Sequence, residues 1–461
     1  MTDRTELDKD IILITVDSLR YDYLFDGSSV SDSFPNLKSL SQAGTTFSNA
    51  FSNAGYTKSS FLSVFSGTFP WMFESVRGGF GPDRPHVAEL FAEAGYLTGG
   101  FHSNPYLSAT YGYDRGFDHY MGRDTESDIN ETTLSSDVWQ FIKERIGSGM
   151  ISRNVRNLYR FIGSTFGLQA GGDPYLSAEL INKSAINWIR QTSGPRFMWI
   201  HYMDVHTPYY PHEGTVSEDI SKRQAVKLFH RVHKQRKDPS EQDLELLRRL
   251  YRGEIDYLDR CIGTLLEELD DHLDLDETVL AFGSDHGEAF NEHGFVYHPD
   301  GVFYDELVHV PLIMKGPGFP SQHIDTPVSN ADLTPTLLRA ADISVPDSCV
   351  GSDLNQLIED PPKERLVFTE GHTEIDGEVM VTSGEYKLIY HIGDEKTILY
   401  NRNQDPEERE NRIDELPEVH KRLRTAIDDH IEMTRDHTGK DNDVSVDDDV
   451  KAQLRRLGYA E

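Results

Sequence analysis

Runs of apolar, β-branched residues that stop at an aspartate alternate with amphipathic helix patterns along residues 1–360. The first run, IILITV, ends at Asp17, and two later runs, RFMWIHYM and TVLAFGS, end at Asp204 and Asp285. This alternation predicts an α/β fold, and continuous apolar runs are typical of buried parallel strands. Ligands of such sheets bind beyond the carboxyl ends of the strands. We therefore expect the three aspartates to lie at the functional edge of a mostly parallel sheet.

The pattern changes at about residue 361. Short alternating strand patterns (RLVFTE, EVMVTSG, YKLIYHIG and KTILYNR) follow one another with tight turns, and the helix pattern PEVHKRLRTAIDDHIEM comes after them. They predict a small α+β subdomain over residues 361–435, an antiparallel sheet packed by a helix. Two other segments stand apart. Residues 123–172 are predicted to be a polar, helix-prone insertion in the first domain, and residues 436–461 an acidic tail.

Acidic residues outnumber basic ones along the whole chain. There are 78 Asp and Glu against 45 Lys and Arg, which gives a formal net charge of −33. Such a surface repels phosphate backbones and argues against nucleic acid as a partner. It fits a halophilic protein, with an ordinary acidic protein as the alternative. The polar start MTDRTELDKD and the lack of a long apolar run predict no signal peptide and no membrane span, hence a cytoplasmic protein.

The halophile hypothesis predicts that stability depends strongly on salt. The unfolding temperature should rise markedly between dilute buffer and molar KCl, because ions screen the repulsion among acidic side chains. Thermal unfolding followed by circular dichroism over a KCl series measures this. Sucrose at matched osmolality is the control, because it stabilises proteins without screening charge. An unfolding temperature that does not change with KCl would contradict the hypothesis.

Histidines gather near the same predicted strand ends as the aspartates. FGSDHGEAFNEHG places Asp285 and His286 side by side on a glycine-rich turn, where a carboxylate and an imidazole can bind one cation. The segment IHYMDVHTPYYP and the residues after the turn add His201, His206, His212, His293 and His298. A single histidine is most often a core or surface residue. Several of them beside three aspartates favour a metal site.

The motifs and their order resemble the sulfatase family of the alkaline-phosphatase-like superfamily over nearly the whole chain. ILITVDSLRYD comes first, followed by GYTKSSFLSVFSG, AGYLTGGFHSN, HYMDVHTPY and FGSDHGEAFNEHG; YDELVHVPLIMKGPG, DLTPTLLRAA and the C-terminal GEYKLIYHIGDEKTILYNRNQDPEERENR come later. Each motif alone is weak, whereas their order and spacing make the match specific. The resemblance implies a doubly wound α/β domain of alkaline-phosphatase type, with the C-terminal subdomain packed beside it.

The resemblance also implies roles for individual residues. The implied metal ligands are Asp17, Thr57, Asp285 and His286, and Thr57 occupies the position of the family's nucleophile. His206 matches a histidine that contacts the anionic group of the substrate. His298 occupies a position often held by lysine, which would protonate the leaving group or contact the anion. Substrate binding is assigned to Lys58, His102, Asn104 and Asp204.

We expect one divalent cation in this oxygen-rich site. Calcium, magnesium or manganese would suit it, with zinc as an alternative because His286 is a ligand. Asp204, His206 and His298 could together hold a second metal ion, as in the two-metal members of the superfamily. A single ion is favoured, because His206 and His298 match the substrate-contact positions of sulfatases better.

Three positions depart from the sulfatase pattern. Ser18 replaces a second aspartate ligand, and HSNP replaces a lysine and histidine pair, which leaves His102 and Asn104 to contact the anion. Thr57 replaces the motif cysteine or serine, and the motif's proline and arginine are missing. Sulfatases convert that cysteine or serine to formylglycine, a route that threonine cannot follow. A divalent cation can still lower the pKa of the Thr57 hydroxyl, so that it attacks as an alkoxide.

The predicted function is a metal-dependent hydrolase or transferase of sulfate or phosphate esters that uses Thr57 as its nucleophile. Threonine has this role in some phosphodiesterases and phosphoglycerol transferases of the superfamily, which favours phosphate esters. One alternative is that Thr57 only caps the helix after it in an inactive relative. Another is a non-catalytic protein that binds an anionic glycan or lipid headgroup. The sequence leaves the alcohol part of the substrate and the oligomeric state open.

Overall fold

The computed structural model describes residues 9–73, 79–121, 175–234, 239–371 and 377–435. The predicted insertion at 123–172 and the predicted acidic tail at 436–461 lie outside the described residues. Among the helices that are described, none combines the length and the apolar character needed to cross a lipid bilayer.

An eight-stranded sheet forms the centre of the chain. Its strands are β1 Ile11–Val16, β2 Thr45–Phe47, β3 Leu97–Phe101, β4 His119–Tyr120, β5 Arg196–Tyr202, β6 Val279–Ser284, β7 Leu312–Lys315 and β8 Gln322–Ile324. Their order across the sheet is β8-β2-β7-β6-β1-β5-β3-β4. Of these eight, only β7 runs antiparallel to its neighbours, β6 and β2. The prediction of a mostly parallel α/β sheet is therefore confirmed.

Helices cover both faces of this sheet. They are α1 Pro35–Ala43, α2 Thr57–Ser66, α3 Val87–Glu93, α4 Ala178–Gln191, α5 Lys222–Lys234, α6 Glu241–Asp270, α7 Leu333–Ala340 and α8 Leu354–Glu359. Strand β1 explains the arrangement, because its side chains are apolar except for Thr15 and successive ones point to opposite faces. Ile12 and Ile14 lie in one core with residues of α1, α4 and α6. Ile11 and Leu13 lie in a second core with residues of α2, α3 and α7, which gives the doubly wound architecture.

Several shorter elements connect these layers. Single helical turns lie at Tyr21–Leu24 and Asp305–Val308, 3₁₀ turns at Pro105–Leu107, Ala109–Tyr111 and Asn330–Asp332, and short strand pairs at Phe25–Asp26 with Ser29–Val30, Ala50–Phe51 with Val328–Ser329, and Ala289–Phe290 with Val296–Tyr297.

The C-terminal part is an antiparallel sheet with a helix against it, as the sequence predicts. The strands are β9 Val367–Glu370, β10 Glu378–Thr382, β11 Tyr386–His391 and β12 Lys396–Asn401, and the helix is α9 Pro417–Arg435. Leu423 and Ile427 of α9 pack on Val381 and Leu388 of the sheet. The buried ammonium of Lys387 pairs with Asp305, which precedes the sheet in the chain, and so joins the two parts. The boundary between residues 360 and 361 stays a prediction.

The register of the central strands sets the position of the site. Val16, the last residue of β1, is level with Tyr202 of β5 and with Ser284 of β6. The residues that follow these strands therefore emerge together at the carboxyl edge of the sheet. Asp17 and Asp285 are two of them, and both side chains are fully buried.

Candidate metal and active site

Asp17 lies at the centre of the site. The next residue, Ser18, takes a left-handed conformation with φ of 63°, and its backbone N–H lies 3.3 Å from Asp285 Oδ1. The Ser18 hydroxyl donates to Asp17 Oδ1 at 2.9 Å, and the Asn104 amide donates to Asp17 Oδ2 at 2.8 Å. Ser18 therefore orients Asp17 by hydrogen bonding at a position where the family pattern has a second aspartate.

Asp285 and His286 enter the site on a tight turn after β6. A Cβ atom at Gly287 would lie 2.1 Å from the carbonyl oxygen of Glu306, so this close approach requires glycine. His286 Nδ1 lies 2.8 Å from the Gly287 carbonyl oxygen. A proton on Nδ1 satisfies that contact and leaves the Nε2 lone pair to bind a cation. Nε2 faces Asp17 Oδ1 and Asp285 Oδ2, each 3.6 Å away.

Thr57 is the first residue of α2, and its hydroxyl points at this group. Its Oγ1 lies 3.2 Å from Asp17 Oδ2 and 3.2 Å from His286 Nε2, and the residue is 1% exposed. Tyr56, not Thr57, occupies the N-cap position. The alternative of a helix-capping threonine is therefore wrong. Thr57 therefore contacts two of the other predicted metal ligands, Asp17 and His286, and His286 Nε2 lies 3.6 Å from the third, Asp285.

His201 belongs to the same group, although the sequence pattern gave it no individual role. One ligand atom each from Asp17, His201 and Asp285 lie within 4.8 Å of one another. His201 is fully buried on β5, level with Thr15 of β1. The alternation of side chains along a strand could have indicated that a histidine one residue before the last residue of the strand shares this edge.

The electrostatics of the two aspartates call for a cation. Burial and the neighbouring Asp17 carboxylate raise the pKa of Asp285 well above its usual range. Burial acts in the same direction on Asp17, but His206, His201 and His286 outweigh it and hold the pKa of Asp17 well below its usual range. Oδ2 of Asp285 has no hydrogen-bond partner among the described residues. Carboxylates, imidazole and a hydroxyl at these separations suit a divalent cation, since adjacent ligands bound at about 2.1 Å lie about 3 Å apart.

His206 and His298 lie next to the metal-ligand group, as predicted. Their ring centroids are 5.1 Å apart, and the His298 ring is 4.6 Å from the His286 ring. Burial lowers the pKa of His206 to about 4, so its ring is neutral near pH 7. The His298 ring therefore lies beside His286, which contacts the Thr57 hydroxyl, and the His206 ring lies beside His298.

Sequence reasoning missed a buried partner of His298. Glu288 Oε1 lies 3.0 Å from His298 Nδ1, and Tyr209 donates its hydroxyl to Glu288 Oε2 at 2.6 Å. Burial raises the pKa of Glu288 to about 7. A carboxyl fixed in this way orients the His298 ring and stabilises a proton on it. Glu288 sits two residues after His286 in FGSDHGEAFNEHG, which was the available signal.

The four predicted substrate-binding residues are placed differently from one another. Asn104 contacts Asp17, while the ammonium of Lys58 lies 5.0 Å from the centre of the Tyr111 ring. The His102 ring is buried, 5.1 Å from the Trp199 ring, and burial lowers the pKa of His102 to about 3.

Asp204, the fourth predicted substrate-binding residue, accepts a hydrogen bond from the backbone of Ala178 at the start of α4. Burial and the neighbouring Glu254 carboxylate raise the pKa of Asp204 to about 8. These two contacts lie with α4 and α6, and the substrate role of Asp204 stays a prediction.

Comparison with protein-family models gives two matches. Residues 9–343 match the model described as Sulfatase, and residues 291–436 match the model described as N-sulphoglucosamine sulphohydrolase, C-terminal. The first match includes every predicted metal ligand, and the second ends with α9.

Known proteins show the same similarity over most of the chain. The uncharacterized sulfatase YidJ of Escherichia coli (strain K12) is 24% identical over 87% of this chain and 82% of its own. The choline-sulfatase of Rhizobium meliloti is 25% identical over 82% of this chain and 78% of its own. Among solved structures, the phosphonate monoester hydrolase from Silicibacter pomeroyi superposes with a TM-score of 0.66 at 18% identity, covering 93% of this chain and 96% of that one.

Proposed function

The chain belongs to the sulfatase family as a sulfatase-like ester hydrolase, and we propose that it cleaves sulfate or phosphate esters with the Thr57 hydroxyl as nucleophile. The observation that carries this proposal is the position of Thr57. Its Oγ1 lies 3.2 Å from both Asp17 Oδ2 and His286 Nε2 in a buried setting. An ordinary surface or helix-capping threonine would not face two ligand-type side chains.

The residues that would hold the metal ion are Asp17, Thr57, Asp285 and His286. A bound divalent cation lowers the pKa of an adjacent hydroxyl and neutralises charge on the ester. Asn104 and Ser18 fix the Asp17 carboxylate by hydrogen bonds, and Gly287 fixes the His286 ring through its carbonyl oxygen. We propose one ion, because the group of carboxylates and imidazoles whose ligand atoms lie within 4.8 Å of one another in the described part of the chain is Asp17, His201 and Asp285, and Asp204 is not part of it.

The reaction takes two steps. Oγ1 of ionised Thr57 forms a bond to phosphorus or sulfur, the bond to the alcohol oxygen breaks, and His298 gives its proton to the departing oxygen. Water then attacks the same atom, returns a proton to His298 and releases Thr57. Glu288 and Tyr209 hold the His298 ring for both transfers, and His206 contacts the anionic oxygens. An alcohol in place of water would make the enzyme a transferase of the phosphoglycerol-transferase type.

Threonine favours phosphate over sulfate esters. Formylglycine hydrate carries a second hydroxyl that expels the sulfate by breaking a carbon–oxygen bond. Thr57 has a single hydroxyl, so its covalent ester must be cleared by attack at phosphorus or sulfur. Attack at phosphorus requires positioning and charge neutralisation, which the ligands and histidines supply. Similarity to a phosphonate monoester hydrolase is consistent with this chemistry.

A non-catalytic protein that binds an anionic glycan or lipid headgroup is the second candidate. Simple recognition of an anion does not need two buried aspartates, which repel it unless a cation lies between them. Binding of an anion without catalysis would also not require a buried Thr57 hydroxyl or a His298 ring held by hydrogen bonds. We therefore favour an enzyme that acts on a small anionic ester.

A substrate screen tests the proposal. Purified protein in high salt, with Mg²⁺, Ca²⁺, Mn²⁺ or Zn²⁺ in turn, is assayed with nitrophenyl sulfate, nitrophenyl phosphate and bis-nitrophenyl phosphate. We expect faster release of nitrophenol from a phosphate ester than from the sulfate, and none after chelation of the metal. Sulfate release without any turnover of phosphate esters would contradict the phosphoryl preference. Metal binding without turnover of any ester would favour the binding protein.

A further inference from the structure

We propose that His201 is a further ligand of the cation held by Asp17, Thr57, Asp285 and His286, and that it takes the place left open by Ser18. This inference rests on the metal site of the proposed function. It adds a second imidazole to a site in which the family resemblance implies only one.

The position of the His201 ring supports ligation. Its Nε2 is fully buried and lies 3.4 Å from Asp17 Oδ2, a contact that is too long and too poorly aligned for a good hydrogen bond, and it has no better partner among the described residues. Asp285 Oδ2 is likewise buried without a hydrogen-bond partner among the described residues. Leaving two polar atoms unpaired in the interior costs about 1–3 kcal/mol each. A shared cation removes both costs at once.

The other side of the ring explains why Nε2 is available. His201 Nδ1 lies 2.9 Å from the Thr15 hydroxyl oxygen, which accepts a hydrogen bond from the indole N–H of Trp199 at 3.0 Å. The Thr15 hydroxyl has the Ile200 carbonyl oxygen as an acceptor at 3.4 Å. When Thr15 donates there, its second lone pair accepts the proton of Nδ1. The Nε2 lone pair then faces Asp17 and Asp285, in the tautomer that metal-binding histidines use.

Charge explains why a histidine suits this position better than an aspartate. Two carboxylates balance a divalent cation, and ionised Thr57 adds one uncompensated negative charge. An aspartate at position 18 would add another and oppose the ionisation of Thr57. A neutral imidazole completes the coordination without that cost. Two imidazole ligands also shift the preference from Ca²⁺ and Mg²⁺ towards Mn²⁺ or Zn²⁺.

The test counts nitrogen ligands directly. Pulsed EPR of the protein loaded with Mn²⁺ should show modulation from two histidine nitrogens, and His201→Ala should show one. The dissociation constant for Mn²⁺, measured by titration calorimetry, should rise by at least about 100-fold in His201→Ala. Wild-type protein should bind Mn²⁺ at least ten times more tightly than Ca²⁺ (roughly 1.4 kcal/mol).

Two further variants separate ligation from packing. Thr15→Val removes the partner of Nδ1 but keeps the ring, so Mn²⁺ affinity should fall about 10- to 100-fold while two nitrogens remain in the spectrum. His102→Gln removes another buried ring, near Trp199, and should leave Mn²⁺ affinity and the nitrogen count as in the wild type. Near-ultraviolet circular dichroism without metal checks that each variant is folded.

The outcomes distinguish this inference from the proposed function. One nitrogen in the wild-type spectrum, with His201→Ala binding Mn²⁺ as tightly as wild type, would overturn the role of His201 and leave the enzyme proposal intact. Equal losses of affinity in His201→Ala and His102→Gln would show a packing effect and also overturn it. Failure of the wild-type protein to bind Mn²⁺, Zn²⁺ or Ca²⁺ would contradict the proposed function itself.

Discussion

Replacing Thr57 by alanine is expected to abolish ester hydrolysis, with kcat/KM falling by at least about 10⁴-fold. The change removes the only atom assigned to attack, while α2 keeps its N-cap residue and its buried face. Thr57→Ser keeps a hydroxyl at the same carbon and should retain partial activity. Serine also loses the methyl group that restricts the side-chain rotamer, so a reduced rate is expected rather than a normal one. Steady-state rates with the best ester of the screen measure all three proteins.

Detection of a covalent intermediate on Thr57 tests the same nucleophilic role. Rapid acid quenching of the working enzyme, followed by peptide mass spectrometry, should find a phosphorylated peptide containing Thr57, and none in Thr57→Ala. His298→Ala should still form the adduct with an activated nitrophenyl ester, because nitrophenolate leaves without a proton. Appreciable turnover by Thr57→Ala, at more than about a hundredth of the wild-type rate, would show that another group or a water molecule attacks.

The sequence predicts the sheet and the strand-end ligands for a physical reason. A buried parallel strand needs apolar residues on both faces, and the runs IILITV and TVLAFGS match that requirement. The ends of these strands determine where Asp17 and Asp285 lie. His286 follows because it adjoins Asp285, and Thr57 because the resemblance places the nucleophile there. These four residues are what local pattern and motif order can specify.

The rest of the site depends on contacts between strands and loops that a linear pattern does not show. His201 becomes a site residue because β5 pairs with β1 in a register that sets it beside Thr15. Glu288 joins the site because the turn at Gly287 folds it back to His298 and Tyr209. Asp204 follows a strand as Asp17 does, yet its carboxylate accepts a hydrogen bond from the backbone at the start of α4. A strand-end aspartate has two common uses, ligand and helix cap, and only the neighbouring helix decides between them.

The second large effect concerns the metal ligands. Asp285→Ala and His286→Ala should each lose tight metal binding and turnover, because each removes a direct ligand of a single ion. Metal analysis after gel filtration should find about one equivalent per chain in the wild type and less than about a tenth in either variant, with turnover falling in parallel.

His206→Ala is the matched control, because it removes a buried histidine of the same cleft that is assigned to the substrate and not to the metal. It should keep one equivalent of metal while its KM for the ester rises. If Asp285→Ala and His286→Ala keep both the bound metal and the rate of hydrolysis, these residues are not the metal ligands. If the wild type binds two equivalents and His206→Ala binds one, His206 is a ligand of a second ion. In that case His206 would bind a metal ion instead of the anionic oxygens of the ester, while the proton donor of the reaction would still be His298.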